Sequence, residues 1–272
     1  MKRIVLAAIA LSLGFASTAQ DSTATEKVDT IKVGGITIMR SRDANKKTII
    51  SNESKRPKSN ISTNWGIIDI GFTNYNDNTN YASAGAQAFA PGINNSDALK
   101  LRAGKSVNVN LWFFMQKLNV AKHVVNLKYG LGLELNNYHF SNTQVDFSKN
   151  PTMVTINPFL TDKLKKNKLA ADYLTVPAML NFNFTPNRKR GFGFSAGASV
   201  GYLYSARQKF KYNDGKKEKE HDDFDLNRWK VSYIGELSLG VIRFYGSYAT
   251  KSMWEKGLDQ TPYTFGIRLS SW

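Results

Sequence analysis

Apolar and polar residues alternate along eight segments of the chain, and this pattern predicts eight β-strands. The clearest run extends from His123 to Tyr138, where Val, Leu and Tyr at odd positions are separated by Asn, Lys, Gly and Glu at even positions. A two-residue period is typical of a strand whose two faces meet different surroundings. The eight segments comprise residues 65–73, 105–116, 123–138, 172–184, 191–204, 229–239, 242–250 and 262–272.

The links between these segments alternate in length without exception. The long links are 74–104, 139–171, 205–228 and 251–261, and the short links between them are 117–122, 185–190 and 240–241. Outer-membrane barrels sort their loops in this way because their periplasmic turns are tight and their external loops are long. We therefore expect an all-β fold, an eight-stranded antiparallel up-and-down transmembrane β-barrel with both termini in the periplasm.

The N-terminus has the pattern of a secretory signal peptide. Lys2 and Arg3 form a positive region, and residues 4–15 are apolar but too few for a membrane-spanning helix. Ser17 and Ala19 are the small residues that a signal peptidase requires. We therefore expect export to the outer membrane of a Gram-negative bacterium.

Three regions follow from these patterns. They are a signal peptide at 1–19, a partly disordered periplasmic pre-barrel segment at 20–63, and the barrel at 64–272. Within the second region, Ile31 to Met39 is expected to form one short strand that pairs with a partner or with the barrel, or else a loosely held tail.

Composition and charge refine the choice of partners. The chain carries a formal net charge of +16, a balance that often indicates nucleic-acid binding. Export argues against nucleic acid, so we expect outer-membrane lipid and the phosphates of lipopolysaccharide as partners. The chain has no cysteine, which excludes disulfides and an acylated N-terminal cysteine.

Aromatic residues make up 12% of the chain and fall near the two ends of the predicted strands. One predicted belt comprises Trp65, Phe113, Phe114, Phe182, Phe184, Phe192, Phe194 and Trp272. The other comprises Phe72, Tyr75, Tyr138, Tyr173, Tyr202, Tyr204, Trp229, Tyr248 and Tyr263. Two belts are expected where amphipathic rings lie in the two headgroup layers of a membrane. The alternative interpretation is that these aromatic residues cap the core of a soluble barrel.

Charged and amide side chains occupy the opposite, inward face of the predicted strands. An eight-stranded barrel is filled by its own side chains, and buried charges must be paired. We therefore predict a plugged barrel with an ion-pair network of Asp69, Lys128, Glu134, Glu236, Arg243 and Arg268. The amides expected to join it are Asn108, Asn110, Asn126 and Asn181.

Four segments resemble the PorT-like family of outer-membrane β-barrel proteins. They are DTIKVGGITIM at 29–39, NWGIIDIGFTNY at 64–75, GLGLELNNYHFSN at 130–142 and YLTVPAMLNFNF at 173–184. The resemblance spans residues 29–272 and implies an eight-stranded outer-membrane barrel; some relatives serve type IX protein secretion. One departure is Trp272, whose parity is opposite to that of the apolar residues of the last strand, so either a bulge near Ser270 resets the phase or Trp272 leaves the lipid face.

An enzymatic alternative rests on His139, Ser141 and Asn142 at the end of the third strand. Their spacing is similar to the His-x-Ser-Asn of lipid A 3-O-deacylases, but it comes early in the chain, and no suitable glutamate follows it to complete a triad. No metal-ligand spacing or nucleotide motif appears, and we expect no cofactor. Two hypotheses remain: a non-enzymatic structural or envelope-complex barrel associated with secretion, and a small barrel enzyme that acts on lipid A.

Overall fold

The computed structural model describes residues 29–33, 36–40, 49–52, 59–161, 163–187 and 191–269. The predicted signal peptide and the C-terminal Trp272, with the phase of the last strand, lie outside the described residues. The chain divides into two compact units, Met1–Lys58 and Ser59–Trp272.

The first unit contains a small antiparallel sheet. Its strands are β1 (Asp29–Val33), β2 (Ile36–Arg40) and β3 (Ile49–Asn52), in the order β1-β2-β3. The expectation of one strand from Ile31 to Met39 was therefore wrong. Two consecutive glycines separate the apolar stretches of β1 and β2 in the sequence, and glycine interrupts strands because it adds chain entropy and no packing.

The second unit is built on eight long strands. They are β4 (Ile61–Asp77), β5 (Val107–Ala121), β6 (Val125–His139), β9 (Leu164–Asn183), β10 (Phe192–Tyr212), β12 (Trp229–Leu239), β13 (Ile242–Ala249) and β14 (Gln260–Leu269). Each pairs antiparallel with the next in the chain, and β14 pairs with β4 to close the ring. The predicted eight-stranded up-and-down barrel is confirmed.

Two glycines face each other where β14 meets β4 and the ring closes. A Cβ atom on Gly266 would lie 2.4 Å from the Cα of Gly71, and one on Gly71 would lie 2.7 Å from the hydroxyl of Tyr245. The close approach of the two backbones therefore requires glycine at both positions. The space that they leave admits the Tyr245 ring into the lumen.

Burial alternates along the strands as the sequence pattern predicts. Every even residue of β6 from Asn126 to Tyr138 is buried, and the odd residues are partly exposed on the outer surface. Around the barrel, the outward residues are mostly Ile, Leu, Val, Phe, Tyr and Trp, which is the reverse of a water-soluble surface. An apolar outer face of this kind fits the hydrocarbon of a membrane.

A β-bulge in β5 changes the phase of that strand. The register with β6 shifts between Trp112 and Phe114, and Met115 is fully buried inside the barrel. Strict two-residue alternation would put Met115 on the same outer face as Phe113. One extra residue in a strand reverses the side of every residue after it. The five residues from Leu111 to Met115 are all apolar, so the alternation is lost at the bulge and does not show which side each of them faces.

The aromatic belts differ from expectation for the residues that point inward. Tyr138 and Tyr173 are only 1% and 2% exposed and pack inside the barrel, and Tyr75 is half-buried with its hydroxyl donating to the carbonyl of Leu99. Position at a strand end does not fix which way a ring points, whereas parity does. Exposed aromatics remain at this end on the outer face, among them Phe72, Tyr202, Tyr204, Trp229, Tyr233 and Tyr248.

The long links fold into a cap over one end of the barrel. The cap contains a helix, α1 (Ala84–Phe89), two 3-10 turns (Ser96–Leu99 and Pro158–Leu160), and the short strands β7 (Val145–Phe147), β8 (Val154–Ile156) and β11 (Lys217–His221). Its remaining framework is the part of β9 and β10 that continues beyond the barrel wall, where Leu164–Asp172 pairs with Ser205–Tyr212. About half of the residues in the four predicted long links thus lie in helices or strands.

Candidate functional site

The lumen contains a buried ion-pair network centred on Arg268. Its Nε and Nη2 atoms donate to the two carboxylate oxygens of Asp69, each at 2.7 Å, in the bidentate geometry that Arg favours. A third nitrogen of Arg268 bonds to Glu236. The indole nitrogen of Trp112 donates to Asp69 at 2.7 Å, and Arg268 lies 5.6 Å from the centre of the Trp112 ring. These contacts fix one arginine between two carboxylates and an aromatic ring.

Two further ion pairs complete the network. Lys128 donates to the second oxygen of Glu236, and Lys230 donates to Glu134. Asp69, Glu134 and Glu236 supply three formal negative charges, and Lys128, Lys230 and Arg268 supply three positive ones. The network is therefore neutral, which is the condition under which buried charges are tolerated.

Amide side chains connect the separate ion pairs. The Nδ2 atom of Asn108 donates to Asn110 at 3.0 Å and to Asn136 at 2.9 Å. Asn136 donates in turn to Glu134 at 3.1 Å, and the Tyr245 hydroxyl donates to Asn108 at 2.5 Å. A polar network whose members are all bonded rigidifies a core, since each bond also satisfies a group that would be costly to bury alone.

The structure places five of the six predicted charged residues in this network. The sixth, Arg243, lies partly buried near the short turn between β12 and β13, where its Cα partner is Ser238. Among the predicted amides, Asn108 and Asn110 join the network. Asn126 and Asn181 instead bond to each other at 3.2 Å.

Four members of the network are not among the residues predicted from the sequence: Lys230, Trp112, Asn136 and Tyr245. Lys230 has the same parity as Glu236 in β12, so the two-residue period could have found it. Parity also puts Trp112 and Asn136 inside. Their pairing partners come from strands distant in the chain, which a single sequence does not show.

Side chains occupy the lumen at and next to the ion-pair network. The network encloses a cavity of about 30 Å³ beside Asp69, Glu236 and Arg268, which is room for about one or two waters. On the short-loop side of the network, Ile67, Trp112, Met115 and Met179 form an apolar layer. The described part of the barrel therefore has the filled interior expected for eight strands.

The cap has an apolar core of its own. Phe147 packs against Trp254 at a ring separation of 5.7 Å, and Trp254 packs edge-on against Phe89 at 5.5 Å. These rings belong to a cluster of buried residues that reaches Tyr138 and Tyr173 at the mouth of the lumen. The cap thus covers the long-loop end of the barrel.

Buried amides hold the cap to the strands beneath it. Gln208 of β10 donates to the carbonyl of Val145 at 2.9 Å and accepts from the backbone nitrogen of Phe147 at 3.1 Å. It also donates to Asn167 of β9 at 3.0 Å, and Asn167 bonds to the carbonyl of Val145. Gln208 and Asn167 thereby supply the hydrogen bonds that β7 lacks on one edge.

The residues of the enzymatic alternative lie at the rim of the barrel. His139 is the Cα partner of Lys168, and burial together with Lys168, Lys166 and Arg102 lowers the pKa of its imidazole to about 4. Ser141 lies two residues further on and is exposed. In the described part of the chain, no hydrogen bond joins the His139 ring to the Ser141 hydroxyl, and the charges that lower the histidine pKa are cationic. A catalytic histidine normally needs an orienting carboxylate.

Among the residues that the structure describes, no group of three or more His, Asp or Glu side chains is placed to hold a metal ion. No described helix is long and apolar enough to cross a membrane.

A closed antiparallel barrel with an apolar exterior and a polar, charge-balanced lumen defines the class of transmembrane β-barrel proteins. The family model described as outer membrane protein beta-barrel domain matches residues 49–250, which is most of the chain. The chain belongs to this family, and the protein is an outer-membrane β-barrel protein. Among curated proteins, none matches the chain.

Proposed function

We propose that this protein is a non-enzymatic component of the cell envelope that acts through its cap and its pre-barrel segment, in the manner of the PorT-like proteins it resembles. Such a protein is structural or belongs to a complex that serves the envelope or secretion. The observation that carries the proposal is the folded cap above a filled lumen. A filled lumen leaves no water path for a channel, and a cap with its own apolar core presents a fixed surface to a partner.

The arrangement at the rim supports the non-enzymatic part of the proposal. His139 is surrounded by cations and makes no described hydrogen bond to Ser141. A nucleophile needs a base within hydrogen-bonding reach and a third group that orients the base. Mass spectrometry of lipid A from cells with and without the intact gene tests this point, and the proposal requires an unchanged acyl pattern. A changed acyl chain count that His139→Ala reproduces would favour the lipid A enzyme instead.

The proposal also fixes an orientation in a Gram-negative envelope. After removal of the signal peptide, the short turns and both termini face the periplasm and the cap faces the exterior, since long loops are external in this class.

The chain has no cysteine, so single cysteines can be labelled without background. On intact cells, a membrane-impermeant maleimide should label Lys251→Cys, which lies on the cap side. It should not label Val241→Cys, which lies exposed in a short turn. The reverse pattern would contradict the orientation.

Affinity capture from detergent-solubilised membranes tests the role in a complex. We expect the tagged full chain to capture envelope proteins in a fixed ratio, and a variant that lacks residues 29–52 or one with a loosened cap to lose some of them. A protein captured equally by the full chain and by both variants would not be bound through these surfaces. If every captured protein behaved in that way, the proposal would fail.

A further inference from the structure

A three-stranded sheet projects beyond the barrel wall and has two unlike faces. It consists of the outer part of β9, the outer part of β10, and β11. Its inner face is buried against the cap through Asn167, Leu169, Gln208 and Phe210. Its outer face, which we call the basic face, carries seven cationic side chains: Lys166, Lys168, Arg207, Lys209, Lys211, Lys217 and Lys219.

Strand register arranges six of these cations in two rows across the sheet. In one row, Lys209 of β10 lies directly opposite Lys168 on one side and Lys219 on the other. In the next row, the Cα partners of Lys211 are Lys166 and Lys217. Residues directly opposite in an antiparallel pair have Cβ atoms about 5 Å apart, and like charges there destabilise the sheet. The arrangement opposes folding unless a counter-charge is bound.

The neighbouring carboxylates of β11 do not supply that counter-charge. The sequence Lys-Glu-Lys-Glu-His places the lysines on one face and the glutamates on the other, because a strand alternates sides. Glu218 bonds to Lys216 and to Tyr212, each at 2.7 Å, and Glu220 lies 3.4 Å from Lys149.

The only ion pair that the described residues form on the basic face is Arg207 with Asp172, at 2.5 Å. No described carboxylate forms an ion pair with any of the six lysines. Burial, together with the neighbouring Lys209 and Arg207, lowers the pKa of Lys168 to about 8, so its ammonium remains mostly protonated at pH 7. The face therefore has a large uncompensated positive charge.

The basic face lies on the outer side of the barrel wall, next to the exposed aromatic belt. On β10, Tyr202 and Tyr204 are exposed on this side, and Tyr202 contacts Trp229 at a ring separation of 5.0 Å. Amphipathic rings of this kind mark the boundary between lipid chains and headgroups. Arg207 follows Tyr204 by three residues, about 10 Å along an extended strand. The cations thus begin at the depth where lipid phosphates are found.

We propose that the basic face binds the phosphate groups of lipid A in the outer leaflet of the membrane. The two rows and Arg207 cover three adjacent strands, an area about 10 Å wide and about 14 Å long. Seven positive charges in this area exceed what one phosphate would balance. They suit a headgroup with more than one anionic group. The side chains of Lys donate to phosphate as point charges, and Arg207 can form a bidentate pair. The proposal rests on the proposed function only in needing the cap to face the exterior.

Binding of purified lipid A to the folded full-length protein in neutral detergent tests this inference without reference to orientation. The informative variant is Lys168→Gln/Lys209→Gln/Lys219→Gln, which removes one complete row. The matched control is Lys163→Gln/Lys251→Gln/Lys256→Gln, which removes the same charge from exposed positions at the same end of the molecule. We expect the row variant to bind at least about tenfold more weakly and the control to bind within about twofold of the parent chain.

Folding can be separated from binding in the same samples. Removal of a row of like charges relieves repulsion, so the row variant should keep heat-modifiable gel migration at least as well as the parent chain. Dephosphorylated lipid A should bind weakly to both. Equal affinity of the row variant and the control would overturn the inference, as would equal binding of dephosphorylated lipid A, phosphatidylglycerol vesicles or inorganic phosphate. If the purified protein binds lipid A through this face but Lys251→Cys is not labelled on cells, the phosphate recognition would stand, whereas the proposed orientation and the binding in the outer leaflet would both be contradicted.

Discussion

Arg268 joins two carboxylates in the middle of the barrel, and its position makes it the residue on which the lumen network depends. It bonds to Asp69 through two nitrogens and to Glu236 through a third. All three side chains are almost fully buried. A buried ion pair is not necessarily stabilising compared with apolar residues of the same shape, but loss of one partner leaves an uncompensated charge.

We therefore expect Arg268→Gln to lower the free energy of unfolding by about 3–5 kcal/mol. Urea titration of the protein in lipid vesicles, followed by heat-modifiable gel migration, measures the change. The double variant Asp69→Asn/Arg268→Gln keeps the lumen neutral and should recover part of the loss, because Glu236 retains its pair with Lys128. A double variant less stable than Arg268→Gln would show that charge balance is not what stabilises the lumen.

Lys168 gives the basic face a dependence on pH. Its pKa is lowered to about 8, so its charge is present at pH 7 and lost as the pH rises through 8. Lipid A binding should therefore weaken between pH 7 and pH 9, and Lys168→Gln should flatten this part of the profile. The groups that face Lys168 are His139, Lys166, Arg207, Lys209 and Asp172. His139, with a pKa of about 4, stays neutral over this range. An unchanged profile in Lys168→Gln would assign the titration to another group.

At the scale of the strands, period-two alternation and loop parity predicted the barrel correctly. Both signals can be read from a short stretch of sequence. The side chains of one strand alternate between lipid and lumen, and the length of a link depends on whether it joins two strands at the periplasmic end or at the external end of the barrel. The bulge at Phe113–Phe114 could not be placed from the sequence, because it lies in an unbroken apolar run, Leu111–Met115, where alternation no longer separates the two faces. The cap was also missed, because its strands pair across long stretches of chain and its apolar residues are scattered among polar ones.

The cap folds as an element around Trp254, which is only 4% exposed and contacts Phe89 and Phe147. Its indole nitrogen donates to Gln260 at 2.9 Å. Removal of a buried tryptophan side chain costs about 3–5 kcal/mol because it leaves a cavity. We expect Trp254→Ala to loosen the cap and leave the barrel closed.

Limited proteolysis of the protein in vesicles measures this effect. Trp254→Ala should be cleaved in the cap much faster than the parent chain, while its heat-modifiable migration is retained. Phe159→Ala is the matched control, because Phe159 is 79% exposed and its loss removes little packing. Equal cleavage rates for the two variants would contradict a cap held by its apolar core. Loss of heat-modifiable migration in Trp254→Ala would show that cap and barrel fold as one cooperative unit.

The barrel unit as a whole combines an apolar exterior, a neutral polar interior and a basic outer face at one end. The exterior suits the lipid chains of a membrane, and the interior is occupied by side chains. The basic face is the surface that we propose for headgroup phosphates. The cap covers one end of the lumen, and the ion pairs and the apolar layer of Met115 and Met179 occupy its middle. We therefore expect the protein to act through the surfaces outside the lumen and not to transport solutes through it.

Single-channel recording in planar bilayers distinguishes a filled lumen from an open pore. A filled and capped barrel should give no steady conductance at either polarity after insertion, while the same preparation shows heat-modifiable migration that confirms a folded barrel. Large, steady unitary currents from the folded parent chain would contradict the account.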